Sequence, residues 1–167
     1  MLMAPILGAL GRVPAPFLLV ILLLRLSPGS PRPLDIEGTQ APQKCVLAGV
    51  WVNDLGSRMS ISGPDAKGAF SGSYLTAVSA SSQNPIQASV ITGLQHPATA
   101  AGGQPTFGFT VHWTFSDSTT VFVGQCFVGA DGQETLETSW LLREKVPSHA
   151  EDWKATRVGQ NTFLRVK

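Results

Sequence analysis

The chain is poor in charge, in sulfur and in tyrosine, and each shortage narrows what it can do. Only 14% of its 167 residues are Asp, Glu, Lys or Arg, well below the quarter usual for a globular protein. Its 12 basic and 11 acidic residues nearly cancel, leaving a net charge of +1, and no run of Lys and Arg stands out. Nucleic acid is therefore a poor partner, since its backbone is held by clustered cations. His96, His112 and His149 lie far apart, and with only two cysteines they offer no metal-ligand spacing. No Ser, His and Asp arrangement and no paired-carboxylate motif is visible, which argues against an enzyme. The apolar stretch Phe17–Leu24 falls short of the ~20 residues that a membrane span needs. No amphipathic helix of useful length and no Asn-x-Ser/Thr sequon is found in the chain.

What is present begins with a leader. Arg12 precedes the apolar stretch and Arg25 ends it, the profile of a signal peptide over residues 1–30, cleaved near Gly29-Ser30. Secretion to the extracellular space follows, with no membrane anchor. Without Arg12 and Arg25 the mature chain carries ten basic and 11 acidic residues, about −1, too little for strong steering. Residues 31–44 are Pro-rich and aperiodic and read as a flexible leader. The two cysteines, Cys45 and Cys126, are expected to pair, as an even count does in a secreted protein. Closing a loop of about 80 residues is worth roughly 4 kcal/mol in the chain-entropy model. It also requires the start of the first strand to lie beside the strand that ends at Cys126.

From Cys45 onward, strand-like runs alternate with turn signals, among them Asp54-Leu55-Gly56, Asp65 to Gly68, Ser116-Asp117 and Asp131-Gly132. Eight strands are predicted near 47–54, 57–63, 69–79, 88–95, 105–115, 118–129, 134–145 and 153–166, with links mostly short enough for hairpins. The fold class is all-β, an eight-stranded antiparallel up-and-down β-barrel over 45–167. Such a barrel abolishes open edges and leaves room for one small ligand.

One stretch says what that interior holds. In Gln104–Cys126, alternation puts Phe107, Phe109, Val111, Trp113 and Phe115 on one face. After the turn, Ser118, Thr120 and Phe122 continue it. A core avoids stray hydroxyls, whereas a pocket for a small molecule with an apolar body and a polar head wants this mixture. His112 falls on the opposite face and reads as a solvated surface residue.

The segments Trp51–Ser57 (W-x-N-D-L-G-S), Gly72–Thr76 (G-x-Y-x-T), Gln104–Trp113, Ser118–Cys126, Trp140–Arg143 (WLLR) and Asp152–Gly159 (DWKATRVG) together resemble the avidin family of biotin-binding proteins. The resemblance runs from Cys45 to Lys167 and implies a role for each matching residue. Asn53, Ser57 and Tyr74 would donate to the ureido oxygen of biotin, where three donors favour the charge-separated form. Thr76 and Asn161 would accept from the ureido N–H groups, and Thr120 would approach the ring sulfur. Trp113, Phe122 and Trp140 would box the rings, with Phe115 and Leu142 also lining the site. Ser116, Ser118 and the loop Ser79-Ala80-Ser81 would hold the carboxylate without any Lys or Arg. Trp153 would enter a neighbouring subunit's pocket, which implies a homotetramer. Biotin is then the bound ligand, with no cofactor or metal, and the biological effect is storage or sequestration of the vitamin. The near-neutral mature charge and the missing sequon suggest a yolk-type or otherwise paralogous member.

Three residues permit another reading. Gly49-Val50-Trp51 has the G-x-W look of a lipocalin first strand, so a carrier of some other small hydrophobic molecule is the alternative. Asn53 and Ser57, taken alone, would serve the turn they flank.

Overall fold

The computed structural model describes residues 44–79, 84–97 and 103–167. The predicted signal peptide 1–30 and all but the last residue of the leader 31–44 lie outside the described residues. Eight strands follow one another: β1 (Gly49–Asn53), β2 (Arg58–Ile61), β3 (Ala69–Leu75), β4 (Ser89–Gln95), β5 (Thr106–His112), β6 (Ser118–Val128), β7 (Glu134–Glu144) and β8 (Thr156–Arg165). Each pairs antiparallel with the next, and β8 returns to β1 through Trp51 opposite Arg165 and Asn53 opposite Phe163. The sheet is a closed up-and-down barrel, as the alternation predicts.

Alternation decides which side chains fill it. On β5 Phe107, Phe109 and Val111 are buried, while Thr106 and His112 face out. Facing positions on β1, β2, β4, β7 and β8 contribute Trp51, Met59, Ile91, Leu136 and Phe163. Phe107, Phe109, Phe122 and Tyr74 form a stack, with successive centroids 6.2, 4.7 and 5.7 Å apart. Buried aromatics of this kind add to the ~25 cal/mol per Å² that their apolar area supplies.

Several strands are shorter than their sequence pattern. β3 stops at Leu75 because the Thr76 hydroxyl donates to Val78 O (2.8 Å) and accepts from Val78 N (3.2 Å), a side-chain turn that takes the chain out of the ladder. β5 stops at His112 because Ser116 N turns back to Trp113 O. The largest departure is at 153–166. Residues His149–Lys154 form a 3-10 helix, in which Glu151 N donates to Ser148 O and Ala155 N to Asp152 O, and β8 starts only at Thr156. Apolar alternation cannot distinguish one short helical turn from the start of a strand.

Cys45 and Cys126 are joined, with Cα atoms 5.8 Å apart. The bridge ties the segment before β1 to β6, which runs two residues past Cys126. Among the described residues no helix is long and apolar enough to cross a membrane.

Candidate ligand-binding site

Where β3 ends at Leu75 and β5 at His112, the barrel holds a cavity of about 680 Å³, inside the 300–1,000 Å³ range of small-molecule sites. Its floor is Tyr74 and Phe122, the upper part of the aromatic stack. Tyr74 projects from β3 with its ring stacked on Phe122 and edge-on to Trp113, 5.5 Å away. Trp113 and Phe115 are 5.7 Å apart, and Trp140 and Leu142 bring β7 to the wall.

Hydroxyls and amides share this lining. Asn53 serves its turn, since Oδ1 accepts from Leu55 N (3.1 Å) and Ser57 N (2.8 Å). Gly56, with φ of 84°, supplies the left-handed step that closes the turn. The same Asn53 also points Nδ2 at the Tyr74 hydroxyl, 3.3 Å away. Turn chemistry and the ligand set are therefore one arrangement, in which the turn fixes the amide so that its NH2 is turned towards the Tyr74 hydroxyl. Ser57 Oγ accepts from Ala77 N (3.0 Å). Burial pushes the Tyr74 phenol up to about 12, against the pull of the Ser57 hydrogen bond and with the nearby Asp54 carboxylate adding to the rise. The phenol thus stays a donor at any physiological pH.

Asn161 is oriented in the opposite sense. Its Nδ2 donates to Asp54 Oδ1 at 2.8 Å, so Oδ1 is left to accept. Trp113 Nε1 donates to Thr120 Oγ1 at 2.8 Å, which fixes the indole against the barrel wall. Ser116 and Ser118 are 2.6 Å apart across the β5–β6 turn. The lining therefore offers converging donors at Asn53, Ser57 and Tyr74, acceptors at Asn161 and Thr76, an aromatic box, and a hydroxyl pair towards the mouth.

Of the residues singled out in the sequence, Asn53, Ser57, Tyr74, Thr76, Ser79, Trp113, Phe115, Ser116, Ser118, Thr120, Phe122, Trp140, Leu142 and Asn161 line this cavity. Ala80 and Ser81 lie outside the described residues. Trp153 does not line its own barrel's cavity: it sits on the 3-10 helix, 83% exposed. Sequence reasoning missed four charged lining residues, Asp117, Glu144, Lys145 and Arg157. Alternation along β7 and β8 carries the signal for Glu144 and Arg157, which continue the inward sets of Trp140–Leu142 and Asn161–Gly159.

The model of the avidin family matches residues 41–166. The chain belongs to the avidin family. It is 50% identical to avidin of Gallus gallus over 150 residues, which cover 90% of this chain and 93% of that protein. Avidin-related protein 1 of the same species is 51% identical over 148 residues, 89% and 91% of the two chains. Among solved structures, the biotin binding protein from chicken superposes with a TM-score of 0.70 at 60% identity, covering 74% of this chain and 99% of its own. Xenavidin gives 0.69 at 48%, covering 74% and 100%. Avidin-family members are binders and not enzymes, and the chain is no exception. The G-x-W residues do not make it a lipocalin. Trp51 lies in the core below the cavity, with Nε1 donating to Leu47 O at 2.8 Å.

Proposed function

We propose that the protein is a secreted biotin-binding protein that holds one biotin per barrel, with Asn53, Ser57 and Tyr74 on the ureido oxygen, Thr76 and Asn161 on the ureido N–H groups, and Thr120 near the sulfur. Trp113, Phe115, Phe122, Trp140 and Leu142 enclose the rings, while Ser79, Ser116 and Ser118, with Ala80 and Ser81, receive the carboxylate. The observation that carries this reading is the opposed orientation of two amides. Asn53 presents its NH2 beside two hydroxyls, and Asn161, tied down by Asp54, presents its oxygen. A cyclic urea, one carbonyl flanked by two N–H groups, is the complement of that pattern. An apolar carrier would leave these groups unpaired at a cost of about 1–3 kcal/mol each.

The test is a titration with biotin followed by tryptophan fluorescence. Saturation at one biotin per chain with slow release supports the reading, and displacement by a fluorescent fatty acid but not by biotin would overturn it.

Assembly into a homotetramer is part of the same proposal. The outer face of β6, β7 and β8 exposes Val121, Val123, Leu141 and Val158, the last at 72%. A contiguous apolar face of this kind marks an interface. Trp153, exposed at one end of the sheet, is the residue to cap a neighbour's pocket. Replacing it with alanine is expected to lower oligomer mass and speed biotin release, and unchanged values of both would remove its cross-subunit role. Secretion is supported by the leader and the disulfide, and the effect in the organism would be storage or sequestration of the vitamin.

A further inference from the structure

The mouth of the cavity is charged yet compensated. On β7 the inward positions Trp140 and Leu142 lead to Glu144, and on β8 the inward positions Asn161 and Gly159 lead to Arg157. Arg157 Nη1 donates to Glu144 Oε1. Glu144 is also the cross-strand partner of Ser118, whose hydroxyl belongs to the pair at the carboxylate end of the site. Beside it, Lys145 Nζ meets Asp117 Oδ2 at 2.9 Å, and Lys145 N donates to Asp117 O at 3.2 Å. Two cations thus stand at the rim, and each is occupied by a carboxylate from the same rim.

We propose that Glu144 is a specificity-determining residue, which neutralises Arg157 and so sets how strongly the mouth distinguishes a negatively charged ligand tail from an uncharged one. The proposal rests on the biotin reading of the cavity. With Glu144 in place, the collar adds little Coulomb attraction for a carboxylate, and discrimination is left to the hydroxyls of Ser116 and Ser118. A biotin whose carboxyl is an amide, as when it is linked to an amine, then loses hydrogen bonds but no ionic partner. Without Glu144, the guanidinium of Arg157 is unpaired at the rim and favours the free acid. Arg157 and Glu144 are half-exposed, so the effect is modest and sensitive to salt.

The experiment measures the ratio of affinities for biotin and its primary amide, in the full-length secreted protein, in Glu144→Gln and in the double variant Glu144→Gln with Arg157→Gln. Each is measured from about 10 mM to about 1 M salt, over which the screening length falls from about 30 to about 3 Å. Glu144→Gln is expected to raise the preference for the acid threefold or more at low salt. That gain should vanish at high salt and in the double variant. A ratio unchanged in Glu144→Gln, or a change that persists at high salt, overturns the proposal in favour of a purely structural pair. Failure of the parent protein to bind either compound would instead overturn the reading of the cavity, and this proposal with it.

Discussion

The two ends of the barrel are built to different standards. At the closed end the polar groups of the segment before β1 are paired, although Gln95 Oε1 at the end of β4 is buried without a partner among the described residues. Trp51 is fully buried, its indole donates to Leu47 O, and the Arg165 guanidinium lies 4.3 Å above its ring. Arg165 also donates to Ala48 O (2.9 Å) and Val46 O, and pairs with Glu134, whose other oxygen accepts from Val46 N at 2.8 Å. The disulfide fixes the same segment. At the open end, buried polar groups share partners among themselves, and Trp140 Nε1 is buried with no acceptor among the described residues. One end holds the chain together, and the other keeps hydrogen-bonding capacity in reserve. Sites built for ligands commonly sacrifice stability in this way.

The comparison is tested most strongly by removing one tryptophan from each end. Trp51→Ala is expected to cost about 3–5 kcal/mol, the range for a large buried aromatic, read as a fall in denaturant midpoint. Trp140→Ala, at a half-buried wall position, is expected to cost less than half as much stability while speeding biotin release more. Equal stability losses would mean that the open end supports the fold as heavily as the closed one.

A second test uses pH. Tyr74 is the chain's only tyrosine, so phenolate absorbance reports it alone. Because burial raises its pKa above the ordinary value near 10, the folded state holds the proton more tightly than the unfolded chain does. Stability is unaffected below pH ~10 and is lost as pH climbs towards about 12, by roughly 2–3 kcal/mol at ~1.4 kcal/mol per unit. Tyr74→Phe should abolish that loss. A phenol that titrates near 10 in the folded protein would contradict its burial at the cavity floor.

The same contrast decides which features are legible in the sequence. Alternation marks the interior of every strand, because burial has period 2 in a sheet, and it carried the reading from Phe107 to Phe122. The closing of β8 on β1 was legible as a topology. Asn53 was not legible as both turn residue and ligand group, since the two roles differ only in which end of one amide is used. The 3-10 helix under Trp153 is one local turn that a period-2 pattern cannot tell from a strand, and the ion pairs at the rim join segments distant in sequence, which alternation does not encode. Glu144 and Arg157 lie on the inward parity of their strands, but charge at an inward position is informative only once the barrel is known to open there.

A smaller effect tests the wall between cavity and outer face. Gly159 is the cross-strand partner of Trp140, and a Cβ added there would collide with the indole. Gly159→Ala is expected to cost about 1–3 kcal/mol as overpacking, and to move Trp140 into the cavity, so that biotin release quickens. Stability lost with unchanged release would show that the strain is absorbed by the backbone of β8 and not by the indole.

The smallest effect is expected at the rim. Lys145 and Asp117 are both largely exposed, and replacing Lys145 with glutamine should alter stability by under about 1 kcal/mol, as for other exposed pairs. The comparison requires this near-neutrality, because a rim that tunes the ligand must be free to change without unfolding the barrel. A larger loss in the denaturant midpoint would mean that the Lys145–Asp117 contact holds the β5–β6 turn against the end of β7. In that case Ser116 and Ser118 owe their 2.6 Å approach to the rim pair, and the open end is less independent of the fold than its exposure implies.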